Sequence, residues 1–193
     1  MNLIRICVAT VALIGSLHLY ASEAEHAVER QYVDAPPAPA EQSREQAERK
    51  SAGCMSCHTD TDSMNMHISR AINLGCADCH GGDASVFVRD RATMGDLEYA
   101  QARDAAHVLP SFPESWHFPH SANPQRSYTL LNREARQFVR FVNPSDYRVA
   151  REACGACHME LIESSIRSLH STGAMLWGGA SYNNGILPFK NYI

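Results

Sequence analysis

The feature that most constrains this chain is a short cysteine and histidine motif that occurs three times. The copies are Cys54-Met-Ser-Cys57-His58, Cys76-Ala-Asp-Cys79-His80 and Cys154-Gly-Ala-Cys157-His158. Cys-x-x-Cys-His is the attachment sequence of c-type haem. Its two thiols bond to the macrocycle, and the adjacent histidine binds the iron. The sequence therefore predicts three covalently attached haems, held by six cysteines, with the proximal ligands His58, His80 and His158.

The seventh cysteine, Cys7, lies in a stretch with the layout of a secretory leader. Arg5 precedes an apolar run over residues 6–19, and small residues follow at positions 21, 22 and 24. The run of about fourteen residues is shorter than the ~20 that a membrane-spanning helix needs. Residues 1–21 are therefore predicted to be a signal peptide, with an uncleaved anchor as the alternative. Because thiols outside the cytoplasm tend to be oxidised unless they are used, export fits the motifs. We expect a periplasmic, extracellular or outer-membrane associated protein.

The charge of the chain bears on its partners. Lys and Arg together number 17 and Asp and Glu 21, which gives a formal net charge of −4. Haem propionates would add further negative charge. No basic patch with interleaved aromatic residues is present in the sequence, so a nucleic-acid partner is not expected.

The rest of the chain divides by composition. Residues 22–49 combine a spacer rich in proline and alanine with a polar helix. Such a spacer favours extended backbone and is ordered only if it packs on something. Residues 50–193 are predicted to form a trihaem domain, with a haem pair over 54–83 and the third haem over 154–193. The predicted fold class is mostly α with long irregular loops and little or no β-sheet, organised by the haems.

Four helices are predicted from propensity and periodicity. Residues 41–52 suit a helix that ends near Gly53, and residues 95–106 suit one with Asp96 as its cap. Residues 130–142 carry an apolar stripe, and Asn143-Pro144 ends that helix. The third motif opens a helix that continues to Gly173, with His158 and apolar residues on one face.

The sixth coordination position of each iron decides what the protein can do. A second histidine or a methionine closes the iron for electron transfer, whereas an open position permits ligand binding. We predict three distal ligands: His67 for the first or second haem, His107, and His170. His117 and His120 are alternatives, and His26, before the spacer, is expected to be incidental. The rival methionine ligands are Met64, Met66, Met94 and Met175, although methionine near haem more often packs.

Other chemistry has weaker support in the sequence. Two Cys-x-x-Cys pairs could form a four-thiolate zinc site, but zinc does not require a histidine after each second cysteine. No carboxylate pair or nucleophile motif stands out. We therefore expect an electron carrier and not an enzyme. The alternatives are a small multihaem reductase with one open iron, acting on a nitrogen or sulfur oxyanion, and a structural haem subunit of a larger respiratory complex.

The three motifs resemble those of periplasmic and cell-surface multihaem c-type cytochromes. Residues 76–83, 121–124, 140–144, 173–178 and 182–185 are also similar to stretches of larger members. The resemblance implies closely spaced, mostly bis-histidine haems that relay electrons between redox partners. Such partners are other cytochromes, quinol-oxidising complexes or outer-membrane complexes. The oligomeric state, the association with a membrane complex and the completeness of the chain stay open.

Overall fold

A computed structural model of the chain describes residues 26–59, 66–69, 71–89, 92–117, 128–173, 180–181, 183–184 and 186. Within these ranges the chain is helical with long irregular connections, and no β-sheet is formed. This confirms the coarse fold class. The α-helices are α1 (Arg44–Arg49), α2 (Cys76–His80), α3 (Leu97–Ala106), α4 (Arg136–Val142), α5 (Ala150–Ala153), α6 (Gly155–Ile166) and α7 (Leu169–Thr172). Shorter 3₁₀ helices cover Cys54–Ser56, Pro113–Ser115 and Tyr128–Arg133.

Helices α1 and α3 form where propensity placed them. Ser43 and Gln46 form a capping box at the start of α1: the Ser43 Oγ accepts from the Gln46 backbone N–H, and the Gln46 Oε1 accepts from the Ser43 N–H. This cap starts α1 later than residue 41, and the helix ends at Arg49, before Gly53. Helix α3 begins after Asp96, whose carboxylate accepts the Thr93 N–H at 2.7 Å. The predicted helices over residues 41–52 and 95–106 are therefore confirmed in their central residues.

The continuous helix predicted over residues 130–142 is wrong at its centre. A 3₁₀ helix ends at Arg133, Ala135 is extended (φ −64°, ψ 146°), and α4 begins at Arg136. The break follows from Glu134, whose carboxylate accepts the backbone N–H groups of Ser111 (2.6 Å) and Phe112 (3.0 Å). Because these bonds hold residue 134 on the 111–116 loop, the chain leaves helical geometry there. The predicted end at Asn143 is confirmed.

The helix that follows the third motif is shorter than predicted. Helix α6 ends at Ile166, with Arg167 as its C-cap, and Gly173 in left-handed geometry (φ 65°) ends the separate helix α7. Ser168 is extended, and its side chain and backbone bond back to the Ser165 carbonyl. A local serine turn therefore interrupts the apolar periodicity. Of the predicted stripe, Ile162 is buried and Leu161 is exposed.

A small hydrophobic core joins the middle of the chain to α4. Its buried members are Trp116, Leu131, Phe138, Val139 and Val149, with Val108 and Val142 packed against them. The Trp116 and Phe138 rings meet edge to face at 5.1 Å between centroids. The Trp116 indole N–H donates to Glu134 at 2.8 Å. Few apolar side chains are buried elsewhere in the described ranges.

The residues before α1 pack across the molecule. Ala38 is buried, and its N–H donates to the Glu152 carbonyl at 2.8 Å. Farther upstream the Tyr32 hydroxyl bonds the Leu109 carbonyl, and the Val28 N–H bonds the Ser111 carbonyl. We call residues 28–38 the N-terminal strap. The predicted spacer thus lies on α5 and on the 109–111 loop.

The predicted signal peptide lies outside the described residues. Among the helices that are described, none combines the length and the apolar character that a membrane crossing requires.

Candidate haem attachment sites

The first motif is folded into a tight turn. The His58 and Cys57 N–H groups both donate to the Cys54 carbonyl, at 2.9 and 3.1 Å, which brings the three functional side chains of the motif together. The Gly53 N–H donates to the Ala84 carbonyl at 2.8 Å. A Cβ at Gly53 would lie only 2.5 Å from that carbonyl oxygen, so the close approach requires glycine here.

The second motif forms α2 and is anchored by its internal Asp78. This carboxylate is buried and accepts from the Lys50 Nζ (2.6 Å), the Gln42 Nε2 (2.6 Å) and the Gly75 N–H (2.8 Å). The Cys76 N–H donates to the hydroxyl of the buried Ser51 at 2.9 Å. The second motif is therefore fixed on the end of α1, directly before the first motif.

The third motif bridges α5 and α6. The Cys154 N–H donates to the Ala150 carbonyl, and the His158 N–H to the Cys154 carbonyl. His158 itself has non-helical geometry (φ −118°, ψ 21°), so the helix kinks at the motif histidine.

The cysteines place the second motif between the other two. The Cys54 and Cys76 thiols interact: the presence of Cys76 raises the pKa of Cys54, and the presence of Cys54 lowers the pKa of Cys76. Burial raises the pKa of the Cys79 thiol, and the charge of the nearby Cys154 adds to this effect. None of the six motif cysteines forms a disulfide. The first and second motifs are neighbours, as expected, and the third adjoins the second.

Two motif histidines each face a second histidine. His58 and His107 have ring centroids 6.3 Å apart, with 37° between planes, and His67 and His158 have centroids 6.2 Å apart, with 2° between planes. Two nitrogen–metal bonds of about 2.0–2.1 Å, plus about 1.1 Å from each nitrogen to its ring centroid, give about 6.2–6.4 Å. Both separations therefore equal that of two imidazoles on opposite sides of one metal atom.

The partner of His67 differs from the expectation. The sequence placed His67 with the first or second motif because it lies between them, but its ring centroid lies 6.2 Å from that of His158 of the third motif. His67 lies in an irregular segment, so proximity in sequence does not fix which motif it meets. His107, at the C-cap of α3, pairs with the first motif.

The surroundings of His107 favour its neutral form. Burial lowers the pKa of the ring, and the nearby His58 lowers it further. A ligating imidazole must be neutral, so the direction of this shift is compatible with a ligand role. The turn at Gly81 and Gly82 brings the second motif close to His107: both have positive φ, and the Asp83 N–H donates to the Ala106 carbonyl at 2.8 Å.

His80 of the second motif has a fixed ring orientation. Its Nδ1 lies 2.6 Å from the Phe141 carbonyl, which can only accept, so Nδ1 carries the proton and Nε2 presents its lone pair. A backbone carbonyl on the second ring nitrogen is typical of metal-ligating histidine. The Phe141 ring also lies 5.0 Å from the His107 ring, so one residue connects the first and second sites.

A distal partner for His80 is not found in the described part of the chain. His80 lies on a small cavity of about 20 Å³ that no other histidine lines. His170, in α7, is exposed and makes no ring contact with the described residues. His26 and His117 are exposed as well, and His120 lies outside the described residues. The predicted role of His170 stays a prediction.

The methionine alternatives gain little from the structure. Met66 and Met94 are more than four-fifths exposed. Met64 and Met175 lie outside the described residues.

Exposed apolar side chains accompany the His67 and His158 pair. Met66 and Ile68 flank His67 and are 84% and 101% exposed, and Met159 and Leu161 follow His158 at 41% and 66%. Apolar groups left open in this way mark a surface that binds something apolar. The planar, mostly hydrocarbon face of a haem would cover them. The thiol pairs, the paired imidazoles and this surface all fit the group that the motifs predict.

In the described ranges, no three His, Cys, Asp or Glu side chains are grouped as ligands of one metal ion. Comparison with protein-family models, curated proteins and solved structures gives no match for this chain.

Sequence reasoning missed the residues that hold the motifs. Arg140 lies among residues that resemble larger cytochromes, but it was not expected to be buried. Asp78 is a variable position of the motif, and Phe141 contributes a backbone carbonyl. At helical spacing Arg140 falls on the face opposite the predicted apolar stripe, so the sequence pattern gave no signal for its burial.

Proposed function

We propose that this chain is an exported trihaem c-type cytochrome that carries electrons between redox partner proteins. One observation carries the proposal: two motif histidines each face a second histidine at the separation of two imidazoles on one metal atom. The three motifs supply the covalent attachment.

The protein's own residues have simple tasks in this proposal. The cysteine pairs would attach each haem, and the paired histidines, His58 with His107 and His158 with His67, would supply the ligands of the iron at the first and third motifs. Bound haem iron supplies one-electron reduction and oxidation, with no bond chemistry required of the protein. The Phe141 carbonyl holds the proximal ring of the second motif in one orientation.

Closed coordination favours electron transfer over catalysis. Bis-histidine ligation leaves no position for a substrate. The order of the motifs also supports a relay, because the second motif touches the first through Cys54 and Cys76 and adjoins the third near Cys79 and Cys154. An electron can then enter at one end and leave at the other.

The test is a spectroscopic count on protein produced in a host that matures c-type cytochromes. We expect three haems per chain by pyridine haemochrome assay and low-spin electron paramagnetic resonance signals from at least two. A matched variant, Cys154→Ala with Cys157→Ala, should carry two haems. Wild-type protein without covalent haem, or with high-spin signals from all its haems, would refute the proposal.

A second candidate function is supported by the cavity at His80. Arg136, Gln137 and Arg140 line it, and no described histidine faces the ring. An open iron beside arginines is the arrangement that a reductase of nitrogen or sulfur oxyanions needs. Carbon monoxide decides between the two functions: no binding to the reduced protein supports the carrier, and one molecule per chain supports an open site at the second motif.

Location and partners follow from the leader and the motifs. We propose export to the periplasm or cell surface, with other cytochromes or membrane-bound redox complexes as partners. The mass of the holoprotein tests export, since a mature chain should begin near Ala21 or Ser22.

A further inference from the structure

Arg140 is a buried cation whose hydrogen bonds converge on the second motif. It is 3% exposed. Its Nε donates to the Cys79 carbonyl at 3.1 Å, and its Nη2 donates to the Asp78 carbonyl at 2.7 Å. The same guanidinium binds the strap, through the Ala35 and Pro36 carbonyls at 2.8 Å each. It therefore ties α2, α4 and the strap together.

The positive charge of Arg140 is only partly compensated. Four of its bonds go to carbonyl oxygens, which are neutral. The nearest carboxylate is Glu152, 3.7 Å from Nη1, and it also forms an ion pair with Arg136. The buried Asp78 carboxylate is bonded to Lys50, not to Arg140. Asp34, on the same cavity, is exposed and bonded to Gln137. A buried charge with incomplete pairing acts strongly on its surroundings.

The position of this charge connects two motifs. Arg140 interacts electrostatically with the thiols of both Cys79 and Cys154. Once these sulfurs are thioethers they carry no charge, and the guanidinium then acts on the haems that they hold. Its bonds to the Asp78 and Cys79 carbonyls, on either side of the Cys79 Cα, place it at the second motif.

We infer that Arg140 positions the second motif against the third and raises the reduction potential of the haem at the second motif. Reduction adds one negative charge at the iron, and a fixed cation in a poorly solvated site favours that state. The inference rests on the proposed function, because it requires haem at this motif.

The experiment compares Arg140→Gln and Arg140→Lys with wild type in a potentiometric titration of the three haems. Arg140→Gln should lower one midpoint potential, with a change of about tenfold in the equilibrium constant for reduction, or about 59 mV for one electron. Arg140→Lys retains the positive charge, so its midpoint potential should lie close to that of wild type. The redox transition that disappears from the titration when Cys76 and Cys79 are replaced by alanine belongs to the haem of the second motif.

The matched control is Arg148→Gln. Arg148 also bonds a backbone carbonyl, that of Leu131, and a carboxylate, that of Asp146, but it binds none of the motifs. The Arg148→Gln substitution should lower the thermal stability of the protein and leave all three reduction potentials unchanged. Equal potentials in Arg140→Gln and wild type, or equal shifts in the Gln and Lys variants, would overturn the inference. Three haems in wild type would then leave the proposed function intact, whereas wild type without haem would overturn both.

Discussion

Replacement of His107 by alanine tests the histidine pair at the first motif. The 6.3 Å between the His58 and His107 ring centroids matches two nitrogen–metal bonds plus the distance from each nitrogen to its ring centroid, which leaves no space for another ligand. If the haems are held as proposed, removal of the His107 ring would open one iron position among the three. We expect the reduced variant to bind one more carbon monoxide per chain than wild type, and one third of the haem to become high-spin in the oxidised protein.

The assay is a titration of the dithionite-reduced holoprotein with carbon monoxide, followed in the Soret band, with electron paramagnetic resonance of the oxidised form. His26→Ala is the control, because His26 is exposed and has no ring partner in the described ranges. It should behave as wild type. If His107→Ala binds no more carbon monoxide than His26→Ala, the bis-histidine reasoning fails, since another residue must then fill the position.

Three further predictions concern stability, each measured by thermal and denaturant unfolding of the holoprotein. Glu134→Gln should lower the free energy of unfolding by about 2–3 kcal/mol, because one amide oxygen cannot accept the three N–H groups that the carboxylate accepts. The control Glu114→Gln, at an exposed residue, should lower it little, and equal losses in the two variants would contradict the prediction. Asp146→Asn should cost about 1 kcal/mol at pH 7. The Arg148 side chain lowers the pKa of Asp146, so this loss should be full above the unfolded carboxyl pKa of about 3.9 and should vanish as pH falls through the lower folded value; a loss independent of pH would refute it. Gly82→Ala should cost more than about 1–2 kcal/mol, since φ is +75° and the new Cβ would lie 2.7 Å from the Ala106 carbonyl oxygen. Gly95→Ala, where nothing lies within 4 Å, should be neutral.

Local signals in the sequence predicted local structure well. Asn143-Pro144 ends α4, because that effect depends on the neighbouring backbone alone. Asp96 directly precedes α3 at the predicted cap position, although its carboxylate bonds Thr93 and not the helix. The break at Ala135 was not predictable in this way. It depends on Glu134 meeting the N–H groups of the 111–116 loop, a contact between distant parts of the chain.

The same distinction applies to the candidate sites. The motif residues follow from spacing, whereas the partner of each motif histidine depends on how the loops cross. His67 was assigned by its position between two motifs, yet its ring centroid lies 6.2 Å from that of His158 in the third motif. The burial of Arg140 depends on carbonyls from α2 and the strap, which no periodicity within α4 reports.

The N-terminal strap also sets an order of events during synthesis. Its Ala35 carbonyl binds Arg140, 105 positions later in the chain, and its Ala38 N–H binds the carbonyl of Glu152. The first part of the described chain to be made therefore cannot dock until residues near the third motif have emerged. Contacts between such distant residues also form slowly. If the chain is exported and carries haem as proposed, the first two motifs would be accessible to a haem-attaching enzyme before the strap docks.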